Sequence, residues 1–320
     1  MRQTSQEAAG ELFLRHGLLT PYLLAQVGIS RDAAERAVTA GLWRRPARGC
    51  YVPHSRPCTP LELARGAAAY VRGPSVVTGL VAVQRYAAPW LPEIADAHVL
   101  VADRMRRQSA GPYVVQRTPQ WDALPTSNAF GLRWAAPERA VVDAARRAAS
   151  LQEARGIVLG AVGARLATAA ELADVLATTR RNGSGFARRA IEDAHRGCAS
   201  PPEAELVDDL LPLGRPFLVN PEIWLGTVWL GISDVWVLGT AVGGEVESRE
   251  WHEGGRAEST YDRHERYVEA GLELVHLSVA RIRRERGEAA RYLLQRAASG
   301  PPVPAGLRVV PRGPVLGRCP

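Results

Sequence analysis

The chain has 320 residues, 46% of them apolar and 23% charged, with a formal net charge of +7. That length exceeds one ordinary core, which predicts two or three domains, and the ordinary apolar content excludes wholesale disorder. All 40 basic residues are Arg, which excludes chemistry that needs an ammonium group, such as a Walker phosphate loop, a Schiff base or the lysine that usually accompanies nuclease carboxylates.

Three short helices and a hairpin are predicted in the first sixty residues. Residues 6–16 form a helix closed by Gly17. Thr20-Pro21 supplies an N-cap with Pro at the first helical position, opening a helix that stops near Gly28. Ser30 caps a third helix over 31–40, ended by Gly41, and residues 42–52 give two extended pieces around a basic turn. Helix, short turn, helix and β-wing is the winged helix-turn-helix layout, whose third helix enters a major groove while wing arginines reach phosphates or the minor groove. Arg31 and Arg36 on the helix, and Arg44, Arg45 and Arg48 on the wing, are the candidate DNA contacts. A small helical domain for protein contact is the alternative.

The stretch RHGLLTPYLLAQVGISRDAAERAVTAGLWRRPARGCYV, within residues 6–53, resembles the N-terminal domain of AbiEi-type antitoxins from type IV toxin–antitoxin systems. The resemblance implies a winged helix that binds operator DNA.

Residues 61–196 are expected to form a mostly helical middle domain. Helices are predicted at 61–71, 78–86, 137–148, 151–163, 168–178 and 185–196, with strand-like runs at 98–101 and 113–117. The run Arg180-Arg181-Asn182-Gly183-Ser184-Gly185 reads as a linker.

From Ser200 the pattern changes. A helix to about 211 precedes strands at 221–230, 232–238 and 241–247, a helix at 258–270, a strand at 272–277 and a long basic helix at 279–298. The order α-β-β-β-α-β-α is the core order of the PD-(D/E)XK nuclease fold. The expected architecture is therefore α+β and multidomain: a winged helix (1–60), a helical middle domain (61–196), a nuclease-like α/β domain (197–300) and a Pro/Arg-rich tail (301–320).

The charges are segregated. Residues 197–280 hold fifteen acidic residues against five Arg, whereas 104–199 hold fifteen Arg against eight acids and 281–320 hold nine against two. Arginines on phosphates and carboxylates on a divalent cation would suit this division, and solvated helix faces would produce the same counts. Asp234 falls in the second strand, and Glu245 and Glu247 fall in the third, where a period of two puts them on one face. A hairpin brings Asp234 beside Glu245. These two carboxylates, the Val246 carbonyl and waters are a sufficient ligand set for Mg²⁺ or Mn²⁺. Such an ion activates a bound water and neutralises charge on a scissile phosphate. Glu247 stands in the usual lysine slot, where it would position or deprotonate the attacking water or bind a second cation.

The segment Gly244-Glu245-Val246-Glu247-Ser248-Arg249-Glu250-Trp251-His252, followed by Tyr261-Asp262-Arg263-His264, resembles the endonuclease-like domains related to very-short-patch mismatch repair nucleases. The resemblance covers 198–298 and implies a metal site at Asp234 and Glu245, with Glu203, Glu247 and His252 taking part. Plainer roles exist for several of these residues. Glu203 can complete a capping box with Ser200, Glu247 can join a surface ion network, and His252 and His264 can be structural. Asp234 resists such a role, because an acid within Ile232–Val237 is costly to bury unless paired or metal-bound.

Cys50-x3-His54-x3-Cys58 has zinc-ligand types but no evident fourth ligand and no standard spacing, and Cys50 reads as an inward-facing wing residue. The four Cys are too sparse for a disulfide scaffold, and no signal peptide or bilayer-length apolar run is evident, so a cytoplasmic protein without membrane contacts is expected. With neither Gly-x-Ser-x-Gly nor Gly-x-Gly-x-x-Gly present, no organic cofactor is expected. Two functions follow: a DNA-binding, Mg²⁺-dependent endonuclease, or a non-catalytic antitoxin-like transcriptional regulator whose degenerate nuclease fold holds DNA or a toxin protein.

Overall fold

Side-chain caps place the first helices. In the computed structural model, which describes residues 3–86, 91–179, 182–247 and 256–317 (the side chains of 3–4 and 256–262 excepted), Thr20 Oγ1 accepts from the Leu23 amide at 3.3 Å and Ser30 Oγ from the Ala33 amide at 3.2 Å. These caps open α2 (Pro21–Gln26) and α3 (Arg31–Thr39), which follow α1 (Gln3–His16). An antiparallel hairpin of β1 (Arg44–Ala47) and β2 (Cys50–Val52) comes next. Phe13, Leu19, Leu24, Trp43 and Tyr51 form the shared core of these elements.

The protein is α+β, and its chain divides into two compact units, 1–149 with 164–185 and 150–163 with 186–320. In the first unit the opening elements are followed by α4 (Pro60–Val71), β3 (Val76–Thr78), α5 (Gly79–Gln84), β4 (Ala97–Ala102), β5 (Tyr113–Thr118), β6 (Thr126–Ala129), β7 (Leu132–Ala135) and α6 (Pro137–Ala145). The chain then enters the second unit as α7 (Leu151–Gly163) and returns as α8 (Ala169–Thr178).

The mostly helical middle domain is corrected by a five-stranded mixed sheet in the order β5-β4-β3-β7-β6. Its added strands lack a period-two signature. All three residues of β3 are buried, so it merges with the apolar run of α5, and β6 is a polar edge strand. The β6–β7 turn places Phe130 and Gly131 at φ 53° and 75°. Both central residues of such a tight turn need positive φ, which Asn-Gly usually signals and Phe-Gly does not.

The second unit contains α7, α9 (Gly185–His195), α10 (Pro201–Leu210), β8 (Phe217–Val219), β9 (Glu222–Leu225), β10 (Val228–Ile232), β11 (Val235–Val237), β12 (Val242–Glu247), α11 (Arg256–Glu269), β13 (Glu273–Ser278), α12 (Val279–Arg284), α13 (Glu288–Ser299) and β14 (Leu307–Val310). The assignment of α7 and α9 to a middle domain is also corrected. Arg155 of α7 donates from Nε to Asp193 Oδ2 at 2.8 Å and from a terminal nitrogen to Asp208 Oδ2 at 2.5 Å. Asp193 is fully buried, and Leu159 of α7 lies in the second unit's core with Leu206, Val235 and Leu293. A buried guanidinium between two carboxylates fixes α7, α9 and α10 together.

The main sheet of this unit has the order β13-β12-β11-β8, with β8, β11 and β12 antiparallel and β13 parallel to β12. The strand predicted at 221–230 is a hairpin turning at Gly226 (φ 59°), and it belongs to a separate sheet, β10-β9-β14. The expected tail at 301–320 is structured where described. β14 pairs with β9, and Leu316 exchanges backbone hydrogen bonds with Phe217 at 2.9 and 3.0 Å. The predicted long basic helix is divided by Gly287 at φ 76° into α12 and α13. Among the described residues no helix is long and apolar enough to cross a membrane.

Candidate active site

Strand register assembles the central pair. β11 and β12 pair with Val235 opposite Gly244, so one step outward Asp234 lies alongside Glu245. The Val246 amide donates to Asp234 Oδ2 at 2.7 Å. Because the amide and carbonyl of a strand residue leave on the same side, the Val246 carbonyl also faces the Asp234 edge. The close approach of these strands depends on Gly243. A Cβ there would stand 2.5 Å from Ser233 Oγ and 2.7 Å from Trp236 Cε3.

Glu203 reaches the same region from the first turn of α10. Its carboxylate accepts from the Ala199 amide at 2.9 Å, Ser200 Oγ at 2.8 Å and Asn220 Nδ2 at 2.8 Å. Ser200 Oγ in turn caps α10 through the Glu203 amide. The capping role is therefore present, although the carboxylate turns back to the amide of Ala199 rather than that of Ser200.

Electrostatics tie the three acids together. Burial raises the Glu203 carboxyl above its ordinary value, against the hydrogen bonds that favour the anion. Asp234 is raised well above its ordinary value by burial first, then by repulsion from Glu203 and Glu245. Glu245 is raised by burial, with Arg263 and His276 opposing the shift. Glu245 is 8% exposed, and its Oε2 is buried without a hydrogen-bond partner. All three groups are oxygen donors, the type a hard divalent cation takes, and Glu245 keeps an orphaned carboxylate oxygen.

Arg263 from α11 pairs with Glu245 Oε1. Gly231, at φ 146°, leaves room for it: a Cβ there would lie 3.1 Å from Arg263 Cδ. Glu247 is half-exposed, and its Oε1 lies 2.8 Å from His276 Nδ1. His276 Nε2 in turn lies 3.0 Å from His264 Nδ1. His276 and Arg263 went unassigned in the sequence reading. The signal for His276 is the parallel register, which sets it opposite Glu245 and becomes visible only once β12 and β13 are known to be neighbours. His252, with Trp251 and the Ser248–Glu250 part of the motif, lies outside the described residues.

In the first unit, Arg31, Arg36, Arg44, Arg45 and Arg48 are all exposed. Three of them have internal partners: Arg45 pairs with Glu35 at 3.0 Å, Arg44 donates to the Arg56 carbonyl at 3.2 Å, and Arg31 interacts with the Tyr51 hydroxyl. Glu35 also accepts from the Tyr51 hydroxyl at 2.7 Å, which locks α3 to the hairpin. Arg31 and Arg48 line a cleft of about 270 Å³ with Arg72 and Arg107, which sequence reasoning missed. The Arg107 guanidinium lies 3.9 Å over the Tyr70 ring, and its Nε has no hydrogen-bond partner.

No protein-family model matches the chain, and no curated protein matches it. Among solved structures, the crystal structure of RV2827C protein from Mycobacterium tuberculosis is similar at 16% identity and a TM-score of 0.38, over 64% of this chain and 80% of that one. A likeness of that extent carries no argument about fold or function.

Proposed function

We propose that the protein binds DNA and hydrolyses its phosphodiester bonds with a divalent cation held by Asp234 and Glu245. The observation that carries the reading is the burial of Glu203, Asp234 and Glu245 around the ends of the two inner strands of a four-stranded mixed sheet, where the charges of Glu203 and Glu245 raise Asp234 and that of Glu203 adds to the rise of Glu245. The succession α10, β8, β11, β12, α11, β13, with three antiparallel strands and a parallel fourth, is consistent with a PD-(D/E)XK core. In this reading the β9–β10 hairpin is an insertion between the first two core strands.

Mg²⁺ or Mn²⁺ at this site would supply an activated water and neutralise charge on the scissile phosphate. Asp234 and Glu245 would hold it, with the Val246 carbonyl beside them, and Glu203 holds Asn220 and the start of α10 in place. Glu247, whose Oε1 lies 2.8 Å from His276 Nδ1, would serve as the group that takes a proton from a water at this site. In the first unit, α1–α3 with the β1–β2 hairpin supply a winged helix. The exposed Arg31, Arg36, Arg44, Arg45 and Arg48 grip phosphates, and Arg72 and Arg107 extend that basic surface.

One observation favours the second reading, a non-catalytic antitoxin-like regulator that holds DNA or a toxin protein. Arg263 sits on Glu245 Oε1 and partly replaces a cation with a guanidinium. Incubation with single-stranded, duplex and mismatched DNA in Mg²⁺ or Mn²⁺ separates the two. The nuclease reading expects cleavage that Glu245→Gln abolishes while gel-shift binding persists. Salt-sensitive DNA binding with no cleavage of any substrate would overturn it in favour of the regulator.

A further inference from the structure

The segment joining β2 to α4 gathers three side chains for which the nuclease reading has no use. His54, Cys58 and Glu62 each offer one ligand atom, and these atoms all lie within 4.8 Å of one another. Cys50, which the sequence pattern groups with His54 and Cys58, is turned into the hairpin, with its Sγ 3.9 Å from the Arg48 carbonyl. The third ligand type comes instead from Glu62, in the first turn of α4.

The histidine is prepared for a metal. His54 Nδ1 lies 3.1 Å from the Arg56 carbonyl oxygen, which can only accept, so Nδ1 carries the hydrogen and donates it. Nε2 is left with its lone pair, as in metal-binding histidines oriented by a carbonyl. That Nε2 is buried, has no hydrogen-bond partner and stands 3.8 Å from Glu62 Oε2. The ring is held edge-on against Phe13 with centroids 5.1 Å apart, and Cys58 is a free, half-buried thiol. Glu62 accepts from the Thr59 amide at 2.8 Å and from Arg56 at 2.5 and 2.8 Å. A carboxylate has about four acceptor positions; the Thr59 amide and one Arg56 nitrogen occupy those of Oε2 and the other Arg56 nitrogen one of Oε1, so the orientation is fixed and the position left for an ion is on Oε1.

We propose that His54, Cys58 and Glu62 bind a zinc-class transition-metal ion, with water in the fourth position. One imidazole nitrogen, one thiolate and one carboxylate make a borderline-soft donor set that selects Zn²⁺ over Mg²⁺ or Ca²⁺. On binding, Cys58 releases its thiol proton to solvent and the sulfur lone pair forms the metal bond. Such an ion would clip the exit of the hairpin to the first turn of α4, both within the first unit.

Co²⁺ titrated into the full-length, chelator-treated protein tests this. The proposal expects one equivalent to give visible d–d bands together with a thiolate-to-cobalt charge-transfer band, both displaced by Zn²⁺. Cys58→Ser should remove the charge-transfer band. His54→Gln should weaken binding by more than the roughly 10–100-fold that outer partners cost, and Cys50→Ser should change neither. Zn²⁺ should also protect Cys58 from alkylation in the wild-type protein, read by mass spectrometry, which needs no variant to fold. A charge-transfer band that survives Cys58→Ser, cobalt binding without any thiolate band, or unprotected Cys58 under saturating Zn²⁺ would overturn the proposal. None of these readouts depends on DNA cleavage.

Discussion

Replacing Asp234 with Asn should stabilise the metal-free protein at neutral pH. The isosteric amide keeps an oxygen to accept from Val246, now 2.7 Å away, and removes a negative charge that burial, Glu203 and Glu245 all oppose. The sign follows from linkage. A carboxyl raised in the folded state binds protons more tightly there than in the unfolded chain, whose value is about 3.9. Its penalty is therefore absent below about pH 4 and grows as pH rises through the folded value. Relief of such functional-site destabilisation is of the order of 0.5–2 kcal/mol. For a unit of this size that is a rise of roughly 1–8 °C in the melting temperature. Thermal unfolding by circular dichroism in chelator, from about pH 4 to about pH 8, should show two curves that converge at the acid end and separate toward neutrality. Added Mg²⁺ should close the gap by stabilising the wild type alone. A variant less stable than wild type at neutral pH, or a difference independent of pH, would refute the reasoning.

Asp193→Ala should destabilise the second unit by about 3–5 kcal/mol, because it strands Arg155, itself 3% exposed, with one carboxylate in place of two; urea unfolding measures this. Gly243→Ala should cost about 1–3 kcal/mol, since its Cβ would overlap Ser233 and Trp236, and metal binding at the adjoining carboxylates should weaken with it. Arg48→Ala should lower DNA affinity for all sequences alike and reduce the salt dependence by about one phosphate's worth, as read from fluorescence anisotropy at several salt concentrations.

Long, capped or periodic elements were legible in the sequence. Thr20-Pro21 and Ser30 mark α2 and α3, and α7 spans the predicted 151–163 without adjustment. Short buried strands were not: β3 and β8 have three residues each, all buried, and so show no alternation. Strand partnership was equally hidden. Nothing local reveals that β9–β10 leaves the main sheet, or that residues 307–310 return to pair with β9. The same division holds at the site. Asp234 and Glu245 could be read because their spacing spans a hairpin. His276 could not, since a parallel neighbour separated by a helix leaves no spacing rule, and Arg263 matters only because Gly231 admits its stem. Glu62 was hidden from the Cys/His pattern because its carboxylate also serves an ordinary capping box.

The most direct test of the account is Mn²⁺ binding measured by electron paramagnetic resonance on the full-length protein, in a Cys58→Ser background that removes the thiolate of the other candidate site. The account predicts one bound Mn²⁺ that is lost when Asp234 and Glu245 are replaced by Asn and Gln, with circular dichroism unchanged. Binding of equal stoichiometry in that variant, or no bound Mn²⁺ before the replacement, would contradict it.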